Sequence, residues 1–344
     1  MTDVNLTDGI NYLDFDSALS RSREEVDRAL FSSPALVRGY VKHLTGTKGK
    51  FIRAVSLLAC AMNNEGQVNA DAVVFAAAIE LLHLATLVHD DVIDDADIRR
   101  GVPTLQKMFG KRTAVICGDY LLSVSLKLVF SLRTRKDYLE IDLPDYVSKV
   151  CSGELNQHIN NGNFDLTVYQ YLRIIAGKTA ALFEASFLAG AVLSGAESSE
   201  LKLYKKMGRS LGMLFQLIDD CMDFEADESI ARKPVQSDFE KNVITLPIIK
   251  AFQSEAGLKD RAAQHDLSTA ELSQAVERYN GLGFTRLLAK KYYNRYIKTM
   301  DRLALTEEKK MRLTEILDKA YRVFRRDDAG ARHDISGNPE TIAR

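Results

Sequence analysis

The sequence predicts an all-α fold, and three observations predict it. Apolar residues recur at helical spacing in "ADAVVFAAAIELLHLATLVHDDVIDD", "TAVICGDYLLSVSLKLVFSL", "LTVYQYLRIIAGKTAALFEASFLAGAVL" and "ELKLYKKMGRSLGMLFQLIDDCMDF". Strand-like alternation bounded by turns is scarce. Only 6 prolines are present and none lies between Pro247 and Pro339, so long helices are allowed there. Helix starts are visible further along the chain. Ser268 and Glu271 in "STAE" form a capping box, and Thr306 precedes Glu307 and Glu308. Gly195 and Gly283 fall where helices should stop. No linker, low-complexity stretch or short repeat interrupts the pattern. The reading is one all-α domain over residues 1–344, a bundle of long helices, with an ordered core over about 13–328 and frayed ends.

Composition narrows the class. Charged residues make up 27% of the 344 and the formal net charge is -1, which gives no global pull toward nucleic acid or a membrane surface. The start, "MTDVNLTDGINYLDFDSAL", has neither the basic nor the apolar region of a signal peptide. No run reaches the roughly 18 apolar residues that a membrane span needs. Cys60, Cys117, Cys151 and Cys221 form no CxxC and read as reduced core cysteines. A cytoplasmic protein is expected.

Two acidic clusters carry the chemistry. Asp90 and Asp94 are four residues apart and share a helix face, with Asp91 about 100° round. A solvated acidic face is the ordinary explanation for one such cluster. Here residues Ala76 to Val88 are apolar nearly all round, so this helix belongs to an interior and should deliver its acidic end to a cavity. The pattern recurs in "GMLFQLIDDCMDF", where Asp219, Asp220 and Asp223 end a second apolar helix. Carboxylates facing each other across a cavity need a hard cation between them. Oxygen donors without histidine at ligand spacing favour Mg²⁺ over Zn²⁺. Mg²⁺ on so few carboxylates keeps positions open, which substrate phosphates usually fill.

Basic residues complete the set. Arg99 and Arg100 follow the first cluster and suit diphosphate oxygens by bidentate pairing. Lys50 and Arg53 in "KGKFIR" are placed one turn apart on one face. Lys178 and Thr179 sit inside an apolar helix beside a glycine that weakens it locally, and Lys233 falls on a loop. Singly, each is more often a solvated charge than a ligand. Together they supply more cations than one diphosphate needs.

Over roughly residues 35–326 the sequence closely resembles the trans-isoprenyl diphosphate synthases, the polyprenyl synthetase family. Its two aspartate-rich motifs stand here as "HDDVIDDADIRRG" and "FQLIDDCMDF". Its GKxxR motif appears as "GKFIR", its upstream histidine as His83, its KT pair as Lys178-Thr179, and Gln216 stands in its expected place. Its later segment appears as "RKPVQSDFEKNVITLP". The resemblance implies an isoprenoid synthase fold with a central cavity, three Mg²⁺ ions and head-to-tail chain elongation. It implies Asp90, Asp94 and Asp219 as direct metal ligands, with Asp91, Asp220 and Asp223 in support. It implies Lys50, Arg53, His83 and Arg100 on isopentenyl diphosphate, and Arg99, Lys178 and Lys233 on the allylic diphosphate. Thr179, the Lys178 carbonyl and Gln216 are then expected beside the allyl cation. Departures are Lys48 before Gly49, Phe51 and Ala54 after Lys50, Arg232 and Gln236 around Lys233, and Val243 where many members have lysine.

Product length is read from helix geometry. Thr86 and Ala85, four and five residues before Asp90, are small where short-chain members commonly carry aromatics. One turn rises about 5.4 Å, comparable to one isoprene unit, so Leu82 and Leu81 are the next candidates for a floor and the product is expected to hold about 25–40 carbons. In detail "HDDVIDDAD" most resembles the catalytic subunit of heptaprenyl-type synthases. A homodimer is expected, with a smaller regulatory subunit as an open alternative. Other readings are a short-chain farnesyl or geranylgeranyl diphosphate synthase, a non-catalytic subunit of a heteromeric synthase, and a class I terpene cyclase, which usually lacks a second DDxxD. The His89-Asp90 pair also resembles the HD pair of phosphohydrolases, but His43, His158 and His265 offer no matching ligand set.

Overall fold

The computed structural model describes residues 11–47, 49–99, 101–132, 141–225 and 237–322. Helices dominate it. In chain order they are α1 (Phe15–Phe31), α2 (Ala35–Val41), α3 (Ile52–Ala61), α4 (Ala70–Ile93), α5 (Leu105–Phe109), α6 (Lys111–Phe130), α7 (Leu143–Ile159), α8 (Val168–Ile175), α9 (Ala181–Leu193) and α10 (Ser198–Glu225). They continue as α11 (Ser237–Glu240), α12 (Leu246–Ser254), α13 (Ala256–Ala263), α14 (Thr269–Arg278), α15 (Gly281–Met300) and α16 (Glu307–Arg322). Extended structure among the described residues is limited to β1 (Tyr12–Leu13) paired antiparallel with β2 (Val68–Asn69), β3 (Ile98–Arg99) paired with β4 (Val102–Pro103), and a single bridge from Met62 to Val68. Tyr12, expected in a frayed end, is therefore tied down, because β2 offers it a partner. The rest of the expected frayed ends lies outside the described residues.

Local sequence chemistry sets the helix ends. Asn69 accepts the N–H of Asp71 at the start of α4. Ser268 and Glu271 form the expected capping box of α14, and Thr167 with Gln170 form another at α8. Thr306 accepts the N–H of Lys309, as its position before Glu307 suggested. Gly195 follows α9 at φ 74, a left-handed turn that glycine takes without strain. Gly283 behaves otherwise. It lies in the first turn of α15, and Asn280 takes the left-handed turn at φ 53. Asparagine tolerates that conformation, so no glycine was needed there.

One apolar cluster runs from Phe15 to Ala320. α4 packs against α1, α3, α6 and α9, and α10 packs against α9 and α15. Cys60, Cys117 and Cys221 are buried and all four cysteines are free; Cys151, expected in the core, is exposed on α7. By length and average composition, three helical stretches are apolar enough to cross a membrane: Ala70–Ile93, Lys111–Phe130 and Val168–Leu193. Counting only uninterrupted apolar runs misses them. The core absorbs most of the first and third, but only 28% of the apolar stretch of α6 is buried.

Close packing positions the functional helices. Gly118 of α6 lies under the His89 ring of α4, where a Cβ would sit 2.3 Å from Nε2. Gly153 of α7 meets the backbone of Gly177 and Lys178, where a Cβ would sit 2.2 Å from the Lys178 nitrogen. Between α8 and α9, residues Ala176–Ala180 form a π-helical turn. The glycine expected to weaken this helix lies inside that turn. Such bulges re-aim side chains and recur at functional sites.

Candidate active site

α4 and α10 bring their acidic ends to one cavity of about 720 Å³. Asp90 and Asp94 of α4 and Asp219 and Asp220 of α10 line it. So do Lys50, Arg53, His83, Thr86, Arg99, Lys178, Thr179 and Gln216. Asp91 is buried just behind the wall and receives a hydrogen bond from Arg99 Nε at 2.6 Å. Asp223 lies further along α10 and is not on the cavity wall. Arg100 and Lys233 lie outside the described residues, as do Lys48, Arg232 and Gln236.

Two placements differ from the sequence reading, and that of His89 agrees with it. Lys50 and Arg53 both reach the cavity, but only Arg53 stands on α3. Phe51 is the N-cap in the left-handed region at φ 53, so the helix cannot extend back to Lys50. Leu81, Leu82 and Ala85 are core residues and do not line the cavity, whereas Thr86 does. Successive helical residues turn by about 100°. The face that carries Glu80, His83, Thr86, Leu87 and Asp90 is therefore the exposed wall, and Ala85 lies beside it. His89 points to α6, where Nε2 sits 3.3 Å from both the Val115 carbonyl and Asp119 Oδ1. That placement takes it off the cavity and removes the phosphohydrolase reading.

Several wall residues were not singled out from the sequence. Glu154 of α7 pairs with Lys178 Nζ at 2.8 Å. Glu80 accepts the Ala54 N–H at 2.9 Å and so satisfies the start of α3, which has no side-chain cap of its own. It is the one acid between Ala72 and Val88, and that isolation was a usable signal. Lys241 Nζ lies 3.2 Å from Asp94 Oδ2. Asn242, held at φ 60, accepts the Gly162 N–H through its carbonyl and fixes this segment. Val243, already noted in the sequence as a departure, also lines the cavity. Tyr171 donates to Asp220 Oδ2 from seven residues before Lys178, two helical turns away. The Arg53 guanidinium rests over the Phe183 ring, 4.7 Å from its centroid.

Among the described lining residues, acids outnumber lysines and arginines. Burial, and then the neighbouring Glu154 carboxylate, push Asp90 up to about 7. Burial likewise raises Glu154, against the pull of Lys178. Burial alone would lower Lys178, but Asp90 and Glu154 outweigh it and its pKa rises. Asp91 is raised by burial despite Arg99. The donor set fits a hard divalent cation, being carboxylate oxygens gathered where acids outnumber cations among the described lining residues. Among the described residues no three His, Cys, Asp or Glu side chains converge closely enough to hold an ion unaided. A cation here would need ligand oxygens and water to complete its shell.

The family is clear from comparison. The polyprenyl synthetase family matches residues 34–279, and the chain belongs to it. A heptaprenyl diphosphate synthase component 2 of Geobacillus stearothermophilus is 33% identical over 314 residues, 90% of this chain and 96% of that protein. A geranylgeranyl diphosphate synthase of Mycobacterium tuberculosis is 32% identical over 240 residues, 69% of this chain and 68% of that protein. The crystal structure of heptaprenyl diphosphate synthase from Staphylococcus aureus superposes with a TM-score of 0.80 at 28% identity, covering 90% of this chain and 98% of that one. The fold is the all-α isoprenoid synthase fold, and membership implies prenyltransferase activity. These relatives span several product lengths, so the likeness alone sets none for this chain.

The raised Asp90 pKa has a measurable consequence. An acid whose folded pKa lies above its unfolded value near 3.8 stabilises the fold at low pH. That contribution is fully present below the unfolded value and is lost as pH rises through about 7. In protein stripped of divalent cations, Asp90→Asn should therefore raise the melting temperature at pH 8 and leave it nearly unchanged at pH 4. Equal effects at both pH values, followed by calorimetry, would contradict the burial of an uncompensated carboxylate.

Proposed function

We propose that this protein condenses isopentenyl diphosphate head-to-tail with an allylic diphosphate, with Mg²⁺, to give a trans-polyprenyl diphosphate of about 25–40 carbons. The observation that carries it is one cavity walled by both aspartate clusters together with Lys50, Arg53, His83 and Lys178.

The roles follow from chemistry and placement. Asp90, Asp94 and Asp219 would hold Mg²⁺, with Asp91, Asp220 and Asp223 supporting or bound through water. When bound, the ions neutralise charge on the departing diphosphate. Lys178, aimed by Glu154, and Arg99, aimed by Asp91, hold oxygens of the allylic diphosphate; Lys233 is assigned the same role from sequence. Lys50, Arg53 and His83 hold isopentenyl diphosphate on the α3 side, and Arg100 joins them from sequence. The Thr179 and Gln216 oxygens face the carbon that becomes positive as the C–O bond breaks. Apolar wall residues such as Leu87, Val150 and Leu182 exclude water that would capture it. The double bond of isopentenyl diphosphate then attacks. The released diphosphate takes the proton, and no side-chain base is required.

Incubation of the purified protein with labelled isopentenyl diphosphate and each allylic primer tests this directly. Activity should need Mg²⁺ or Mn²⁺ and fall by about 10²-fold or more in Asp90→Ala and in Asp219→Ala. Near-normal turnover in EDTA, or in either variant, would exclude the mechanism.

The small Thr86 side chain on the wall supports a medium or long product, and it is where the floor should be tested. Thr86→Phe should shift the main product by at least one isoprene unit toward shorter chains, read by mass spectrometry after phosphatase treatment. An active variant with an unchanged distribution would show that the tail does not pass Thr86. Ala85→Phe is a different experiment here, because its ring would enter packed core at a cost of about 1–3 kcal/mol.

The exposed apolar residues Val115, Ile116 and Phe130 of α6 support association with a second copy of the chain. Light scattering should give twice the 38.4 kDa chain mass, and Ile116→Glu should reduce it. A monomeric wild type would end this proposal. It would favour a separate partner, which the name "component 2" of the Geobacillus relative suggests for that protein.

A further inference from the structure

Asp220 is held differently from the other aspartates of the two clusters. Its side chain is nearly fully buried, with the whole residue 2% exposed. Its Oδ2 accepts the hydroxyl hydrogen of Tyr171, itself buried. Its Oδ1 accepts Gln216 Nε2 at 2.8 Å. Gln216 Oε1 in turn accepts the Thr179 hydroxyl at 2.7 Å. These bonds form one directed chain from Tyr171 through Asp220 and Gln216 to Thr179.

The direction of that chain is fixed by what each group can do. Asp220 accepts at both of its oxygens, from the Tyr171 hydroxyl and from Gln216 Nε2. Gln216 thus gives its nitrogen to Asp220, which leaves its oxygen toward Thr179. Thr179 must then spend its only hydroxyl hydrogen on Gln216 and present oxygen lone pairs elsewhere. Reversal of the amide would give Thr179 a nitrogen donor and free its hydrogen to point into the cavity. That would place a positive edge where electron-rich oxygen is needed. Both Thr179 and Gln216 line the cavity beside Lys178, so the orientation bears on whatever carbon reacts there.

We propose that Tyr171 is a positioning residue: it anchors Asp220, which sets the Gln216 amide and so turns the Thr179 oxygen toward the reacting allylic carbon. The inference rests on the prenyl transfer proposed above. It gives Asp220 a purpose distinct from that of Asp219. It also explains why a tyrosine two turns from Lys178 is buried against an aspartate cluster.

A double-mutant cycle tests it. Tyr171→Phe should lower kcat about 10- to 100-fold. Both KM values should stay within about twofold, because the diphosphate contacts are untouched. The share of allylic substrate released as alcohol should rise, since the positive carbon is less well shielded. In a Thr179→Val background the same substitution should change kcat by less than about threefold, because the group through which Tyr171 acts is gone. Asp220→Asn reads the same orientation with the Tyr171 side chain kept, compared at saturating Mg²⁺ because Asp220 is also assigned support of the metal. An asparagine can donate to Gln216 and let the amide turn, so Thr179→Val should again add little. A role limited to folding would lower the active fraction equally in both backgrounds and multiply with Thr179→Val. Multiplicative effects in both cycles, with an unchanged share of alcohol, overturn the inference. A wild type inert with every allylic primer would instead refute the proposed reaction, so the two failures are distinguishable.

Discussion

Carboxylates brought together at one cavity, outnumbering the cations among its described lining residues, are the constraint on which this structure turns. α4 is apolar along most of its length and ends in acid, and the fold sets that end inside a cavity. Asp90 is pushed up to about 7 by burial and by Glu154. Lys178 and Arg99 answer only part of the charge, since Lys178 also serves Glu154 and Arg99 is committed to Asp91. Carboxylates gathered at one cavity, where the described lining residues include more acids than cations, are costly to hold together unless a ligand completes the set. The same imbalance that costs stability creates affinity for a dication carrying an anionic ligand.

The scaffold serves that constraint at several levels. Gly153 brings α7 against the π-helical turn, and this places Glu154 beside Lys178. The π turn re-aims Lys178 and Thr179 into the cavity from a helix whose other faces are core. Glu80 completes the start of α3, which holds Arg53 over Phe183 on the opposite wall. Lys241 reaches Asp94 from a segment fixed by Asn242, so the rim is cross-tied between α4 and the chain after α11. Cations thus arrive from separate elements, while the two aspartate clusters come from the ends of two long helices.

Much of this was legible in the sequence, for a physical reason. Helical periodicity and apolar content are local properties, so α4, α9 and α10 could be read as interior helices. Acid at the end of an interior helix is a conflict within one segment, and conflicts of that kind mark functional sites. Capping at Ser268 and Thr306 was legible for the same reason. What escaped depends on neighbours distant in sequence. Glu154 and Tyr171 look like ordinary helical residues until α7 and α8 are laid beside Lys178 and Asp220. The left-handed turn at Phe51 separates Lys50 from α3 and carries no glycine to announce it. Ala85 and Thr86 are adjacent in sequence, yet only Thr86 meets the cavity, because the rotation of α4 is set by packing on its neighbours. Gly283 shows the opposite error, since a glycine alone does not end a helix when asparagine has already made the turn.

The central claim is that the clusters and the cations form one incomplete charge set that a dication and a diphosphate complete together. The direct measurement is the melting temperature of the protein with Mg²⁺ alone, with inorganic diphosphate alone, and with both. Each ligand binding only the folded state stabilises it by mass action. The charge set predicts small shifts for each ligand alone and a combined shift well above their sum. A large shift with diphosphate in EDTA, or merely additive shifts, would contradict it.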